Sequence, residues 1–385
     1  MLPSISGSTR VCGLFGFPVA HSFSPVMHNA AFAALGLDYV YAAFPVSPEQ
    51  LPAAVAAVRA LDLAGVNVTV PHKENVPSLL DDLTPGARLA GAVNTIVHRD
   101  GRLKGHNTDG SGFVRALAEE AGFDPGGKTA LILGAGGAAR AVAVHLALAG
   151  AASVLVANRT VSRAAALAAL LNGHTAARAD FTGWPENFEP GARPGPSGPG
   201  RGFDAAGRSK SPFAPEKSMA GVPAATHDTG GILAGIAGDA PAARLPDAGT
   251  VPAVSGVAHD VCVRVAERAA GGGKSLAAPG TSRTAGFSRF VRDADLIVHT
   301  TPLGMHTRQD TCPPFPFDLL RPGQVVVDLV YNPPRTVFLT RAAAAGTRVY
   351  NGLGMLLYQG ALAFELWTGR AAPLDVMRRA LPVKL

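Results

Sequence analysis

Lys128–Thr160 reads KTALILGAGGAARAVAVHLALAGAASVLVANRT. An apolar run leads into Gly134-Ala135-Gly136-Gly137, then a helical stretch, then a second apolar run ending at Asn158. Strand, glycine turn, helix and strand make one βαβ unit, whose right-handed crossover implies a parallel sheet. Gly134 and Gly136 stand at G-x-G spacing, with Ala139 where the third small residue of a dinucleotide fingerprint falls. Such glycines let backbone N–H groups approach a pyrophosphate at a helix amino terminus, where the dipole favours negative charge. The same turn without a ligand is the blander reading, but its position between a strand and a full-length helix favours the dinucleotide.

The end of the second strand bears on which dinucleotide. Units that bind NAD usually carry Asp or Glu there for the ribose 2′-hydroxyl. This chain has Asn158, Arg159 and Thr160, with Arg163 one helical turn on. Guanidinium groups and a hydroxyl suit a 2′-phosphate, which needs donors and no competing carboxylate. The expectation is NADP (NADPH).

Strand and helix signals alternate on both sides of this unit. Upstream, RVCGLFG and YVYAAFPV read as strands around a helix SPVMHNAAFAALG, with Ser24 as N-cap, Pro25 in the first turn and Gly36 at the stop. A helix SPEQLPAAVAAVRAL leads to VNVTVPHKE (residues 66–74), where Val66, Val68 and Val70 alternate with Asn67 and Thr69. AVNTIVHRDGRLKGHNTDG reads as a hairpin turning at Asp100-Gly101, and GSGFVRALAEEAG as a helix ending at Gly122. Downstream, ADLIVHT, QVVVDLV and RVY read as strands and GLGMLLYQGALAFELWTG as a long apolar helix.

Residues 175–286 break the pattern. Nine of the thirteen residues from Pro190 to Gly202 are Gly or Pro, too few apolar groups to offset the entropy of ordering. A disordered insertion is the expectation, with a helix around AHDVCVRVAERAAGGG interrupting it.

Composition bounds the rest. The 385 residues exceed a single typical core, so two domains are expected, and 47% hydrophobic content suffices for burial. No stretch reads as a membrane span, and the amino terminus lacks the charged-then-apolar pattern of a signal peptide. Cys12, Cys262 and Cys312 are odd in number and lack metal spacing, so they read as reduced thiols in a cytoplasmic protein, with no metal site. The net charge of +6 comes without a basic run, zinc spacing or basic-aromatic interleaving, which argues against nucleic acid and fits a small anionic ligand.

HSFSPVMHNA, NVTVPHKE, GAVNTI, GHNTDGSGF, DLVYNPPRT and GLGMLLYQG, in that order around the glycine-rich unit, resemble the shikimate dehydrogenase family across nearly all of the chain outside the insertion. The resemblance implies Lys73 and Asp109 as the catalytic pair. It implies Ser22 and Ser24 at the substrate carboxylate with Tyr331 nearby, and Asn67, Thr69, Asn94 and Gln359 contacting the ring hydroxyls or supporting the groups that do. Gly134, Ala135, Gly136, Gly137 and Ala138 would cradle the pyrophosphate, and Asn158, Arg159, Thr160 and Arg163 would hold the adenosine end. Thr300, Thr301 and Met305 of the TTPLGM loop, with Leu329 and Gly352, would lie near the nicotinamide. His21, His28, His72 and His106 flank these motifs and read as packing or rim residues. The family usually has Asn where this chain has His299, which leaves the contact of that loop with the cofactor open.

The implied protein is an α/β enzyme of two domains. Residues 1–110, completed by helices in 352–385, form a substrate domain; residues 111–351 form a Rossmann-like NADP-binding domain with a long low-complexity insertion. Its reaction is the reversible NADPH-dependent reduction of 3-dehydroshikimate to shikimate, in aromatic amino-acid biosynthesis, by a monomer or homodimer. One rival is a quinate/shikimate dehydrogenase using NAD; Ser24, a serine where threonine would be expected, and the absence of an acidic residue near Arg159 argue against it. The other is a non-catalytic paralogue whose insertion is a binding module, which gives no reason to keep both Lys73 and Asp109.

Overall fold

The computed structural model describes residues 5–20, 22–184, 283–305 and 308–382. Strands β1 (Arg10–Gly16), β2 (Tyr39–Pro45), β3 (Gly65–Val68), β4 (Asp82–Leu83), β5 (Thr95–Arg99) and β6 (Arg102–His106) form one sheet in the order β2-β1-β3-β5-β6-β4. Helices α1 (Ser24–Ala34), α2 (Leu51–Ala60) and α3 (Pro85–Ala90) lie between its strands in sequence. The β1–β2 and β1–β3 pairs are parallel, whereas β5 runs antiparallel to both β3 and β6. That hairpin reversal leaves the amino end of β5 on the same sheet edge as the carboxyl ends of β1, β3 and β6.

Helix α4 (Thr108–Ala121) leads to the second sheet and ends at Gly122, whose φ of 55° is the left-handed conformation of a helix stop. The second sheet comprises β7 (Thr129–Leu133), β8 (Ser153–Asn158), β9 (Arg178–Gly183), β10 (Leu296–His299), β11 (Val325–Asp328) and β12 (Arg348–Asn351). All its pairs are parallel, in the order β12-β11-β10-β7-β8-β9. This is the doubly wound arrangement, with its strand order reversing between β7 and β10, where such sheets open a ligand crevice. Helices α5 (Gly137–Leu148) and α6 (Val161–His174) cover one face and α7 (Arg283–Asp293) and α8 (Val337–Ala344) the other. Helices α9 (Leu353–Thr368) and α10 (Leu374–Ala380) return to the first sheet, where Leu357, Phe364, Trp367 and Met377 pack with Leu14, Met27 and Phe32.

Four expectations shift. Strand β9 lies inside the stretch taken for insertion, in register with β8 from Arg178 opposite Ser153 to Gly183 opposite Asn158. RADFTG is a short edge strand carrying Arg and Asp, so it lacks the apolar run that marks its neighbours. Helix α7 likewise begins at Arg283, before the expected end of that stretch; residues 185–282, with the expected disorder and helix, lie outside the described residues. Helix α4 starts at Thr108, two residues ahead of the expected Gly110, capped by the Asn107 carboxamide accepting from the Gly110 N–H at 3.1 Å. Ser24 is the first helical residue and Phe23 the cap position, with no side-chain cap bond, so the Ser24 hydroxyl is not consumed by capping.

Candidate active site

On the shared edge of the first sheet, backbone bonds fix the loops that carry the functional side chains. The Val93 N–H donates to the Lys73 carbonyl at 2.8 Å, and the Thr69 N–H to the Phe15 carbonyl at 2.9 Å. Strand β3 is buried on both faces, which puts Asn67 inside: its carboxamide oxygen accepts from the Tyr41 hydroxyl at 2.8 Å and its amide donates to Thr95 Oγ1 at 3.0 Å. The alternation seen in the sequence ends early, since Val70 is 68% exposed and beyond the ladder.

Past that strand end, Lys73 Nζ donates to Asp109 Oδ2 at 2.6 Å. Asp109 sits in the first turn of α4, where the helix dipole favours a carboxylate, and its other oxygen accepts from Asn94 Nδ2 at 3.0 Å. The same amide lies 2.9 Å from Thr108 Oγ1 and 3.3 Å from Gln359 Oε1, while the Thr108 N–H donates to Asn94 Oδ1 at 2.6 Å. The Lys73 side chain is 30% exposed and that of Asp109 11%, so the ammonium faces a cleft and the carboxylate behind it is fixed at both oxygens.

The cleft has a volume of about 280 Å³. Ser22, Ser24, Asn67, Thr69, Lys73, Asn94 and Asp109 line it from the first sheet's edge, and Tyr331 and Gln359 from the returning segments. All nine expected substrate residues therefore share one cavity. Burial raises the Tyr331 phenol above its ordinary value, leaving a neutral hydroxyl at physiological pH. Leu14, Val19, Met355 and Leu356 add apolar wall. None of these was singled out from sequence, because an apolar lining residue has the same signature as core. Thr95, Thr108 and Tyr41, which hold Asn67 and Asn94, also went unremarked, although the two threonines lie within the GAVNTI and GHNTDGSGF motifs. His28 and His72 are buried, and neither they nor His106 line the cleft; His21 lies outside the described residues.

Ala138, Leu329 and Gly352 line the same cleft on the side of the second sheet. Around them lies a cradle that fits a dinucleotide. Gly134 has φ of 125°, and a Cβ there would stand 2.3 Å from Thr300 Oγ1, so the turn after β7 closes tightly on the loop after β10. A Cβ on Gly136 would meet nothing within 4 Å, whereas one on Gly137 would stand 3.1 Å from Glu74 Oε1, so the helix start is open at Gly136 and bordered by Glu74 at Gly137; its first-turn N–H groups lack intrahelical partners. At the end of β8, Asn158 Nδ2 donates to the Thr160 carbonyl at 2.9 Å, which shapes the turn carrying Arg159. Arg159 and Arg163 are exposed, and among the described residues neither guanidinium has a carboxylate partner. Thr300 and Thr301 border the glycine turn, and Met305 is 48% exposed at the loop's far end. The donor set thus comprises glycine N–H groups, two free guanidiniums and hydroxyls, as a phosphorylated dinucleotide requires.

Family models match three parts of the chain: the shikimate dehydrogenase substrate binding domain at residues 14–96, shikimate / quinate 5-dehydrogenase at 116–187, and the shikimate 5′-dehydrogenase C-terminal domain at 352–381. The shikimate dehydrogenase (NADP(+)) of Desulforamulus reducens is 41% identical over 98% of this chain and 96% of that protein. The enzyme of the same name from Moorella thermoacetica is 43% identical over 98% of this chain and 94% of its own length. A crystal structure of shikimate 5-dehydrogenase from Listeria monocytogenes, in complex with shikimate and NAD, superposes with a TM-score of 0.71 at 31% identity, covering 98% of each chain. With full-length relatives above 40% identity and three matching family models in register with the cleft and the cradle, this chain belongs to the shikimate dehydrogenase family.

Proposed function

We propose that this protein catalyses the reversible NADPH-dependent reduction of 3-dehydroshikimate to shikimate in aromatic amino-acid biosynthesis. The observation that carries the reading is the Lys73–Asp109 pair, 2.6 Å apart in a cleft bordered on one side by hydroxyl-binding residues and on the other by the glycine cradle. Ser22 and Ser24 bind the substrate carboxylate with Tyr331, and Asn67, Thr69, Asn94 and Gln359 orient the ring. When bound, the reduced nicotinamide supplies the hydride. Lys73 donates a hydrogen bond to the ketone oxygen, stabilises the charge that develops on it and hands over the proton; in the reverse direction it takes that proton back. Asp109 keeps the ammonium aimed. The apolar wall excludes water from the face where the hydride arrives.

The substrate domain is residues 1–110 completed by 352–385, and the cofactor domain is 111–351. The pyrophosphate rests on Gly134 through Ala138. Asn158, Arg159, Thr160 and Arg163 hold the adenosine end, and Thr300, Thr301, Met305, Leu329 and Gly352 flank the nicotinamide. The protein acts in the cytoplasm as a monomer or homodimer. No helix among the described residues is long and apolar enough to cross a membrane.

The Listeria relative was crystallised with NAD, so cofactor choice is the sharpest test. Shikimate and quinate, each assayed with NADP and NAD, should give the highest kcat/KM for shikimate with NADP. Arg159→Ala should raise the KM for NADP by about 10- to 150-fold, the worth of one bond to a charged group, and that for NAD far less. Turnover at saturating cofactor should hardly change, because the contact is the same in ground and transition states. Wild-type preference for NAD would sink the NADP assignment.

A further inference from the structure

His299 ends β10 and Asp328 ends β11; the two residues are register partners and both are fully buried. His299 Nδ1 lies 2.9 Å from Asp328 Oδ1, and Nε2 makes a close contact with Thr301 Oγ1. The Asp328 carboxylate also accepts from the Thr336 hydroxyl at 2.6 Å and from the Val330 N–H at 3.1 Å. For a neutral ring facing an ionised carboxylate, which only accepts, Nδ1 carries the proton and Nε2 is an acceptor facing the Thr301 hydroxyl. The order is Thr301 O–H to Nε2, then Nδ1–H to Asp328. Thr301 is thereby turned with its methyl 3.2 Å from where a Gly134 Cβ would be, while Thr300 Oγ1 donates to the Leu133 carbonyl at 2.9 Å. One end of this chain of bonds fixes the loop after β10 against the glycine turn. The other fixes the loop after β11, which bears Leu329 and Tyr331.

We propose that His299 is a positioning residue for the cofactor, holding Thr301 through Nε2 while Asp328 fixes the ring. The role rests on the proposed assignment of Thr300 and Thr301 to the nicotinamide side of the site. An asparagine at 299 separates the two halves of the relay. Its amide nitrogen can stand where Nδ1 stands and satisfy Asp328, but its oxygen falls short of Thr301 by the depth of the imidazole ring. His299→Asn therefore removes one neutral hydrogen bond without leaving a buried carboxylate unpaired. Thr301→Val removes the same bond from the partly exposed end, together with the 3.4 Å bond that Thr301 Oγ1 accepts from the Leu303 N–H.

The test is calorimetric binding of NADP+ to wild type, His299→Asn, Thr301→Val and the double variant, with steady-state kinetics and 15N NMR of histidine-labelled protein alongside. Each single variant should weaken NADP+ binding and raise its KM by about 3- to 10-fold, and His299→Asn, at a residue that lines neither the cleft nor the cradle, should change kcat less than about twofold. The double variant should be no worse than Thr301→Val alone, because the bond to His299 is already lost there. The His299 resonances of wild type should report a proton on Nδ1 and none on Nε2. Unchanged NADP+ affinity in both single variants, additive losses in the double, or an Nε2-protonated neutral ring would each overturn the role alone. Wild-type protein that failed to bind NADP+ would overturn both this role and the cofactor assignment beneath it.

Discussion

The Asp109 carboxylate is bound at one oxygen by Lys73 and at the other by Asn94, so the ammonium has one fixed heading, out into the cleft. Lys73→Ala should cut kcat by at least about a hundredfold while the KM for shikimate moves much less, since acid–base help is typically worth 10²–10⁴. Asp109→Asn should lose activity as well, by releasing that heading. Near-normal turnover by Lys73→Ala in a stopped-time assay would remove Lys73 from the mechanism. A second residue matters for stability rather than catalysis. His28 is fully buried, stacked on Tyr41 at 4.5 Å between ring centroids, and among the described residues neither ring nitrogen has a hydrogen-bond partner. Burial lowers its pKa from 6.5 to about 3. Above pH 6.5 the ring is neutral whether the chain is folded or not, and the site is indifferent to pH. Below it the unfolded chain takes up a proton that the folded one refuses until about pH 3, so stability falls through that window, by at most about 1.4 kcal/mol per pH unit. His28→Leu, of similar volume, should flatten this part of the curve; urea midpoints at pH 7, 6, 5 and 4 that run parallel for the two proteins would refute it. At this scale the motifs were legible in the sequence as far as placement goes: all nine expected substrate residues line one cleft. What they could not carry was the partner of each group. The Asn94–Thr108 bond joins a loop to a helix and the Asn67–Tyr41 bond joins two strands, and no spacing rule encodes a contact made only by folding.

Helices α4 and α9 cross where Gly112 meets Gln359. A Cβ at 112 would stand 2.5 Å from the Gln359 backbone nitrogen and 2.8 Å from its Cα, so the crossing distance is set by the missing side chain. Gly112→Ala should push α9 outward, destabilise the fold by about 1–3 kcal/mol and raise the KM for shikimate as Gln359 leaves Asn94. Gly173 gives the opposite sign. It lies in exposed helix α6 with open space where a Cβ would go, so Gly173→Ala should stabilise by about 0.4–1 kcal/mol through the unfolded chain. Urea unfolding of both variants checks the pair; equal shifts would show that the crossing is looser than described. Most elements were readable from apolar runs and punctuation, as with β7, β8 and the Gly122 stop. β9 was not, being an edge strand of six mixed residues whose identity comes from its pairing with β8. The Ser24 cap misled for a related reason: serine followed by proline is a local signal, and the neighbouring Phe23 took the cap position instead.

Across the whole molecule, strand order and the reversal point between β7 and β10 follow from the chirality of βα units, which is why the βαβ reading reached as far as the cofactor crevice. The first sheet was harder, because the β5–β6 hairpin makes it mixed and its core is shared with residues from the other end of the chain. Cys12, Leu14, Met27 and Phe32 pack against Leu353, Leu357, Phe364 and Met377, and the Trp367 indole donates to the Ile96 carbonyl at 3.0 Å. That sharing has a consequence for the order in which the protein is made. Domains tend to fold from the amino terminus as they leave the ribosome. Here the first sheet emerges early and one of its two faces is covered only in part, by α1, until residues past 353 have been synthesised, after the whole second sheet. The second sheet, whose covering helices all come from within residues 108–344, can finish while the first still waits. The half of the cleft that holds Lys73 and Asp109 is thus translated first and completed last, and a nascent chain spends that interval with a half-covered apolar face that a chaperone is suited to shield.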